Sequence, residues 1–443
     1  MTMSVSSFSR LWTLVAGTPL ALALCCGNVA KAEGDVKAPE GFEVLFDGKS
    51  LDGWHGRPHL DPREWATKDA KQRDAWNEDM KAHWSTANNE VINDGHGVYL
   101  TTNREFGDME LLIEYKTVPT ADSGIYLRGI PQVQIWDSVQ EDKGGLGSKL
   151  GSGGLWNNSK GAAGKDPLVK ADRPFGEWNK FRILQVGSRT SVWLNGEMVV
   201  DHAIMENYFD RNQPLFAKGP IQLQTHGGEI RWRNIFVREI GTEEANQILA
   251  SKLAQGFKSL FDGKSLAGWK GANDNYEVVD GAIRCKEGKG GVLHTEKEYA
   301  NFQAAIQFRL PPGGNNGLAI RYPGEGDTAY VGMTELQVLD NDAPQYAKLD
   351  ARQYHGSAYG MAAAHRGFLR PTGQWNFQVV TVEGSKITVE LNGNKILDTD
   401  LSKVTELMAN TPHPGKDRTS GFFGFAGHGD AVEFRNVEIR ELK

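Results

Sequence analysis

The stretch "SVWLNGEMVV", residues 191–200, decides the fold class of this chain. Its Asn195-Gly196 pair stands between two apolar runs, and the same arrangement returns as Asn392-Gly393 in "TVELNGNKIL", residues 388–397. Asn-Gly in this setting is the strongest short-range signal for a β-hairpin, because both turn positions tolerate positive φ. The two segments therefore predict two antiparallel hairpins.

The segment "DMELLIEYK", residues 108–116, has the period of two that is typical of a strand with one face on a core. Met109, Leu111, Ile113 and Tyr115 share the face expected to meet the core. Glu110, Glu114 and Lys116 are expected on the opposite face. Together with the high glycine content of 52 residues, these patterns predict an all-β protein built from jelly-roll β-sandwiches.

The chain contains one long pattern twice. Three segments of the first part return in the same order in the second part: residues 42–54 as 257–269, residues 176–201 as 373–398, and residues 225–240 as 427–442. A period of about 200 residues is too long for a solenoid, whose repeats are single supersecondary units of about 20–50 residues. We therefore predict two tandem domains, residues 41–241 and 256–443, that fold separately.

Two segments outside the repeat are predicted to be helical. Residues 242–255, "TEEANQILASKLAQ", place Ile248, Leu249 and Leu253 at helical spacing, so we expect a short helical linker there. Residues 61–84 are charged, favour helix and have no counterpart in the second copy. They are predicted to be a helical insertion in a loop.

The composition restricts the possible partners. The net charge is −7, and the sequence contains no run of lysine or arginine that could bind along a phosphate backbone. Nucleic acid is therefore not an expected partner. A length of 443 residues exceeds the size of an ordinary single core and favours two domains. The 39% of hydrophobic residues is typical of a soluble globular protein.

The first 32 residues have the features of a secretory signal peptide. Arg10 precedes an apolar stretch, residues 11–26, and the segment ends in the small-residue pattern Ala30-Lys31-Ala32. Cleavage near Ala32 would make the protein secreted or periplasmic, without stable membrane insertion. A membrane anchor and a lipoprotein are the alternatives. The apolar stretch is shorter than a span of about 20 residues, which disfavours the anchor.

Several ordered motifs together resemble the 3-keto-disaccharide hydrolase family, whose domains are also described as 3-keto-glucoside 1,2-lyases and 2-hydroxyglycal hydratases. The motifs are "LFDGKSL" with a following Trp, "SGIYLRG", "QVQIWD", "GEWN", "VWLNG" and "QTHGGEIRWRNI". The resemblance covers both copies. It implies a concanavalin-like jelly roll and secreted or periplasmic action on oxidised glucosides, with a carbohydrate as substrate.

The chemistry implied by this resemblance needs three kinds of group. A ketone at C3 acidifies the hydrogen on C2, so a base can remove that proton and an electrophile can hold the enolate oxygen. An acid can then protonate the departing glycosidic oxygen, and water adds to the unsaturated sugar. The sequence should therefore contain a carboxylate or histidine base, a positive group or metal, and a surface that stacks on sugar.

The second copy supplies a full set of candidates. Glu335 and Gln337 are two residues apart and so share one face of a strand. We expect the catalytic residues of this copy to be Glu335, His428, Arg321 and Asp340. We expect its substrate-binding residues to be Gln337, Tyr359 and Asp430.

The first copy offers a similar set with one difference. The catalytic candidates are His226 and Asp137, and the substrate-binding candidates are Arg128, Gln134, Gln224, Glu229 and Trp136. Neutral Gln132 stands where the second copy has Glu335, and an amide cannot act as a base at neutral pH. We therefore expect the second copy to perform more of any elimination chemistry. Asp137, Glu229 and His226 are the groups through which the first copy could compensate.

Other interpretations of these residues stay open. The glutamines can form hydrogen bonds inside the sandwich, and the tryptophans can fill its core. No His-x-x-His or paired-Cys spacing points to a metal, although scattered carboxylates could bind a divalent ion such as Ca²⁺. The whole chain could also be a non-catalytic, glycan-binding tandem β-sandwich.

Overall fold

A computed structural model describes residues 35–139 and 147–443. The predicted signal peptide, residues 1–32, lies outside the described residues. From residue 35 to the C-terminus the chain forms one compact unit. This unit contains two β-sandwich halves, which confirms the all-β prediction.

In the first half, the described residues up to 139 and from 147 onward form an eight-stranded and a five-stranded antiparallel sheet. The large sheet has the order β11-β10-β9-β6-β13-β4-β3, with β1 paired to β13, and the small sheet has the order β2-β5-β12-β7-β8. The strands are β1 Glu43–Val44, β2 Trp54–Arg57, β3 Trp84–Ala87, β4 Glu90–Asn93, β5 Tyr99–Thr102, β6 Met109–Thr117, β7 Ser123–Tyr126, β8 Gln132–Ile135, β9 Asn179–Val186, β10 Arg189–Leu194, β11 Glu197–Ile204, β12 Gln222–Leu223 and β13 Ile230–Glu239.

The second half repeats this topology strand for strand. Its large sheet has the order β16-β17-β26-β19-β22-β23-β24, with β14 paired to β26, and its small sheet has the order β15-β18-β25-β20-β21. The strands are β14 Lys258–Ser259, β15 Trp269–Gly271, β16 Tyr276–Val279, β17 Ala282–Cys285, β18 Gly291–Tyr299, β19 Phe302–Arg309, β20 Asn315–Tyr322, β21 Thr334–Leu339, β22 Trp375–Glu383, β23 Lys386–Leu391, β24 Asn394–Asp400, β25 Gly421–Gly427 and β26 Glu433–Glu441.

Short helices connect these strands. The predicted insertion forms α1, Pro62–Trp65, and α2, Ala70–His83, and α2 begins at a capping box made by Asp69 and Gln72. The predicted linker forms α3, Thr242–Ser251, and α4, Thr328–Val331, precedes β21. Among residues 35–139 and 147–443, no helix has the length and apolar character needed to cross a membrane.

Strand β6 has the expected apolar face, but its opposite face is also partly buried. Met109, Leu111, Ile113 and Tyr115 lie in the core of the first half. Glu110 and Glu114 lie on the opposite face but are also buried. Arginines of neighbouring strands cover them: Arg182 and Arg238 donate to Glu110, and Arg233 donates to Glu114.

The Asn-Gly pairs form the predicted turns. Asn195 and Gly196 have φ of 53° and 94°, and Asn392 and Gly393 have φ of 48° and 79°. These values place both residues of each turn in the left-handed region, as a two-residue hairpin requires. The turns connect β10 to β11 and β23 to β24.

Each half has its own apolar core, and a smaller cluster joins them. In that cluster, Leu249 of α3 packs with Val186 of the first half and with Ala305 and Phe377 of the second half. The linker helix thus contacts both halves through its apolar face. In each half the small sheet packs one face on the core, so alternate side chains point away from it and form the surface described next.

Candidate functional site

Strand register establishes which residues of the two copies are equivalent. Gln134 pairs with Gly124 across β8 and β7, and Gln337 pairs with Gly317 across β21 and β20. Two residues earlier on the same face stand Gln132 and Glu335. The exchange of a carboxylate for an amide noted in the sequence is therefore an exchange at one structural position.

A cavity of about 300 Å³ lies over this position in the second half. It brings together four of the predicted site residues, Glu335, Gln337, Tyr359 and His428. The other lining residues are Asn315, Asp327, Ala329, Tyr330, Leu339, Tyr346, Leu349 and Gln353.

Glu335 and His428 are in contact inside this cavity. Glu335 is 3% exposed, and its Oε1 lies 3.4 Å from Nε2 of His428, whose side chain is 47% exposed. Thr328 of α4 donates its hydroxyl to the other carboxylate oxygen. The hydrogen bond to Glu335 raises the pKa of His428 above its usual value. A buried carboxylate thus faces an imidazole that water or a ligand can reach.

Glycine makes room for this carboxylate. A Cβ at Gly317 would lie 2.1 Å from Oε1 of Glu335, a distance that no pair of non-bonded atoms tolerates. Gly124 has the same relation to Gln132 in the first half, at 2.2 Å. A side chain at Gly124 or Gly317 could therefore fit only if Gln132 or Glu335 moved away.

Gln337 is held at the floor of the cavity. Its Nε2 donates to Oδ1 of Asn315 at 2.6 Å and to the backbone oxygen of Asn316 at 3.1 Å. Asp430 accepts from the backbone N–H of Asn315 at 3.0 Å and is outside the cavity lining. Gln337 can present its carbonyl oxygen to a ligand, whereas Asp430 positions the strand that contains Asn315.

The first half has a different carboxylate and histidine pair. Asp122 Oδ2 lies 2.9 Å from Nδ1 of His226, and Asp122 Oδ1 accepts from Nε2 of Gln134 at 2.8 Å. Gln132 donates in turn to Gln134 at 2.5 Å. The hydrogen bond to Asp122 raises the pKa of His226.

Asp122 occupies the position that Asn315 occupies in the second half, since both lie two residues before the glycine that pairs with Gln134 or Gln337. The histidine of each half therefore contacts a carboxylate from a different place in the fold. Asp122 directly precedes β7, whereas Glu335 is part of β21. The change at Gln132 was predicted from the sequence, where Asp122 was a candidate residue but was not among the groups expected to compensate for that change. The signal was present in the aligned segments "ADSG", residues 121–124, and "GNNG", residues 314–317.

Arg128 and Arg321 lie away from these pairs. Both are 1% exposed, and both donate to backbone oxygens: Arg128 to Phe216 and Gly107, and Arg321 to Ala300, Gly384 and Arg418. Burial lowers the pKa of Arg128 to about 10 and also lowers that of Arg321. Both arginines therefore hold neighbouring backbone segments together through hydrogen bonds. Arg321 is not among the residues that line the cavity.

Asp137 and Asp340 make equivalent backbone contacts in the two halves. Asp137 accepts from the backbone N–H of Thr120 at 2.7 Å, and Asp340 accepts from that of Gly313 at 2.8 Å. Both carboxylates thus hold the loop before β7 or β20. Neither is brought to the histidine pair of its half by these contacts.

The remaining candidates of the first half are dispersed. Glu229 accepts from Arg231 at 2.6 Å on the surface. Trp136 packs edge to face on Trp156 at a ring distance of 5.2 Å. Gln224 donates to the hydroxyl of Tyr99 at 3.3 Å.

An aromatic group covers the small sheet of the first half beside Gln224. The ring of His59 lies 4.6 Å from Tyr126, 5.0 Å from Phe209 and 5.5 Å from Tyr208. The second half has Val292 and Ala319 where the first has Tyr99 and Tyr126. The smaller residues leave more room over the second sheet.

The longer connection between Arg321 and Glu335 also distinguishes the second half. It contains Asp327, Thr328 and Tyr330, which reach the cavity or the Glu335 carboxylate. These three residues were not predicted from the sequence, because the first copy has only a short connection between Arg128 and Gln132 to compare with them.

Comparison with known proteins relates the chain to a family. The sequence model of one protein family, the 3-keto-alpha-glucoside-1,2-lyase-like domain, matches residues 41–238 and again residues 256–440. A 3-keto-disaccharide hydrolase of Bacteroides thetaiotaomicron is 28% identical over 233 residues, which cover 43% of this chain and 79% of the relative.

Two solved structures from Parabacteroides distasonis, both described provisionally as glycosyl hydrolases, are also similar. One is 28% identical, covering 42% of this chain and 99% of its own, with a TM-score of 0.39. The other is 26% identical, covering 46% and 99%, with a TM-score of 0.38. Since the family model matches nearly all of the described residues in two segments, the chain belongs to the 3-keto-alpha-glucoside-1,2-lyase-like family and contains two copies of its domain.

Proposed function

We propose that the protein cleaves 3-keto-glycosides by elimination and hydration, with Glu335 and His428 as the groups that transfer protons. The family and the curated relative support a carbohydrate-active hydrolase. The observation on which the proposal rests is the contact of buried Glu335 with partly exposed His428 in a cavity lined by Gln337 and Tyr359.

In the elimination, the Glu335 carboxylate takes the proton from C2, and negative charge develops on the C3 oxygen. The C1–O bond then breaks, its electron pair leaves with the glycosidic oxygen, and a C1=C2 double bond forms. His428, as the imidazolium, donates its proton to that leaving oxygen. The products are an alcohol or sugar and an unsaturated 3-keto sugar.

In the hydration, neutral His428 takes a proton from water, whose oxygen adds to C1. Glu335, now protonated, returns its proton to C2. Both groups are thereby restored, and the net reaction is hydrolysis. The same two side chains serve both steps. Glu335 is the base in the elimination and the acid in the hydration, and His428 has the opposite roles.

The enolate oxygen also needs a donor. Tyr359 lines the cavity, and its oxygen already accepts from Nε2 of Gln353 at 2.9 Å, which leaves the hydroxyl proton for a ligand. We assign to Tyr359 the role that the sequence suggested for Arg321. A neutral donor held in place and aimed at developing charge lowers the barrier to enolate formation.

The test follows the C2 hydrogen directly. The full mature chain is incubated with a 3-keto-disaccharide in D₂O, and NMR measures both sugar release and deuterium at C2. Wild-type protein should release a 3-keto sugar deuterated at C2. Glu335→Gln should lose both signals, whereas Glu287→Gln, the same change at an exposed position of the same half, should retain them. Tight binding of the disaccharide with neither signal in wild-type protein would show a glycan-binding module instead.

We further propose that the protein acts outside the cytoplasm after removal of residues 1–32. The support is the apolar stretch and the Ala30-Lys31-Ala32 pattern in the sequence. Mass spectrometry of the protein from its native host should give a chain that begins at Glu33. Recovery of a chain that retains residues 11–26 would instead favour an anchor.

A further inference from the structure

Three potential metal ligands meet at the end of the helical insertion of the first half. They are His83, the last residue of α2, and Asp94 and His96 in the turn after β4. Nδ1 of His83 lies 2.9 Å from Oδ2 of Asp94, and Nδ1 of His96 lies 3.6 Å from Oδ1 of Asp94. One ligand atom from each residue lies within 4.8 Å of the others.

We propose that His83, Asp94 and His96 form a binding site for Zn²⁺. With bonds of about 2.0–2.2 Å to nitrogen and oxygen, tetrahedral zinc places its ligand atoms roughly 3.3 Å apart. The two histidine–aspartate separations, 2.9 and 3.6 Å, lie on either side of that value, and all three ligand atoms lie within 4.8 Å of one another. Two imidazoles and one carboxylate suit zinc and its neighbours among the late transition metals, whereas Ca²⁺ needs about six to eight oxygen ligands. The ligand set thus differs from the calcium site that the sequence left open.

Asp79 and Gly97 lie close to the ring of His83. Asp79 Oδ1 lies 3.9 Å from Nε2 of His83, on the side of the ring away from Asp94, and Asp79 Oδ2 accepts from the backbone N–H of Val98 at 2.7 Å. A hydrogen bond from the far ring nitrogen to a carboxylate is the usual arrangement that orients a zinc-ligating histidine. At 3.9 Å the Asp79 contact is an ion-pair distance and is too long for that hydrogen bond. Gly97 has φ of 82°, and a Cβ there would lie 2.8 Å from the His83 ring.

The site is open to solvent, so that an ion can enter and water can complete its coordination. The His96 side chain is 76% exposed, and those of His83 and Asp94 are also partly exposed. Three protein ligands with one open position is the arrangement of catalytic rather than structural zinc sites.

The proposed zinc site lies next to the segment that follows His226 in the first half. A Cβ at Gly95, between Asp94 and His96, would lie 2.8 Å from the backbone nitrogen of Gly228, so the turn packs directly on the segment that follows His226. A bound ion would restrain this turn and, through it, the segment with His226. Helix α2, which provides His83, has no counterpart in the second half.

The test uses the full mature chain, freed of metal with a chelator that is then removed. Isothermal titration with Zn²⁺ should give one site per chain, and Co²⁺ should produce the visible absorption bands of a tetrahedral nitrogen and oxygen site. His96→Ala should weaken Zn²⁺ binding at least about tenfold and remove the Co²⁺ bands. This side chain is exposed and contacts Asp94 at the surface, so the fold should survive, which circular dichroism checks.

His226→Ala is the matched control, because His226 is an exposed histidine of the same half that also contacts an aspartate. It should leave Zn²⁺ affinity within about threefold of wild type, since it removes no ligand of the proposed site. The proposal is overturned if wild-type chain binds no Zn²⁺, or if His96→Ala binds as wild type does. Loss of binding in His226→Ala alone would place the ion at the Asp122 and His226 pair.

Discussion

The carboxylate of Asp122 lies 2.9 Å from the imidazole of His226 in the first half of the chain. In the second half Glu335, which is part of β21, contacts the equivalent His428 at 3.4 Å. Amides, Asn315 and Gln132, take the two vacated positions. In each half the histidine thus keeps a carboxylate partner, while the direction from which that partner approaches has changed. Removing each carboxylate in turn can therefore measure how much each half contributes to turnover.

We predict that the second half contributes most of the turnover. Glu335→Gln should lower kcat on a 3-keto-disaccharide by about 10²- to 10⁴-fold, the usual contribution of a general base. Asp122→Asn should change kcat less than about tenfold, because Asp122 contacts an exposed histidine beside a sheet that aromatic residues cover. Both are isosteric changes of a carboxylate to an amide. If Asp122→Asn or His226→Ala abolishes turnover and Glu335→Gln does not, the first half is the enzyme.

We predict that the rate falls on the alkaline side as His428 loses its proton. Glu335 raises the pKa of His428 because the carboxylate stabilises the imidazolium, so His428 can act as an acid up to a pH above its ordinary value near 6.5. In Glu335→Gln this stabilisation is lost, and the pKa of His428 should move down. NMR titration of the His428 ring in the two proteins measures the change. An unchanged pKa would mean that the two side chains do not interact in solution.

We predict that Arg321 matters for stability and not for proton transfer. Arg321→Met leaves the backbone oxygens of Ala300, Gly384 and Arg418 without their buried donor, at a cost of roughly 2–5 kcal/mol in the free energy of unfolding. The thermal unfolding midpoint should fall clearly, while turnover by the folded protein stays within about threefold of wild type, since no contact with the cavity is removed.

Arg366→Met is the control for this substitution, because Arg366 is an exposed arginine of the same half. It should leave the unfolding midpoint nearly unchanged. If Arg321→Met instead slowed turnover by about two orders of magnitude, the size of a general acid–base contribution, with unaltered stability, Arg321 would return to the catalytic role that the sequence suggested.

We predict that residues 33–241 and 256–443 each fold alone but are less stable than the whole chain. Each half has its own core, yet separation exposes Val186 on one side and Ala305 and Phe377 on the other. It also breaks the ion pair between Arg189 and Glu390. Circular dichroism should record cooperative melting of each fragment at a lower temperature than in the full chain.

The absence of cooperative unfolding in both fragments would contradict two independent domains. Equal midpoints for the fragments and the full chain would instead mean that the shared apolar cluster adds no measurable stability. Because this cluster is small compared with the two cores, we expect the loss to be a few degrees for each half.

Much of the fold could be predicted from local patterns. Asn195-Gly196 and Asn392-Gly393 determine their own turns, because the φ values that these residues tolerate are a property of the residues themselves. The alternation in residues 108–116 predicts which side chains meet the core. The repeated segments predict two copies, and the structure has the same strand order in both.

The candidate site was predictable only within single strands. Glu335 and Gln337 share a face because side chains alternate along a strand, and the cavity does contain both. Arg321 is part of the neighbouring strand and was expected beside them, but its backbone has φ of 49°, and its side chain leaves the sheet face. A departure of one residue from regular strand geometry redirects the side chain in a way that the sequence pattern does not reveal.

By itself, then, the sequence determined the all-β class, the duplication, the hairpin turns and the carboxylate-to-amide change at residues 335 and 132. Each of these follows from the properties of nearby residues or from comparison of the two copies. Only the tertiary structure decided that His226 meets Asp122, that Thr328 reaches Glu335, and that His83 meets Asp94 and His96. The physical reason is that these contacts join separate strands, loops and a helix. Their distances depend on sheet register and loop packing, which arise from the whole fold and not from any one segment.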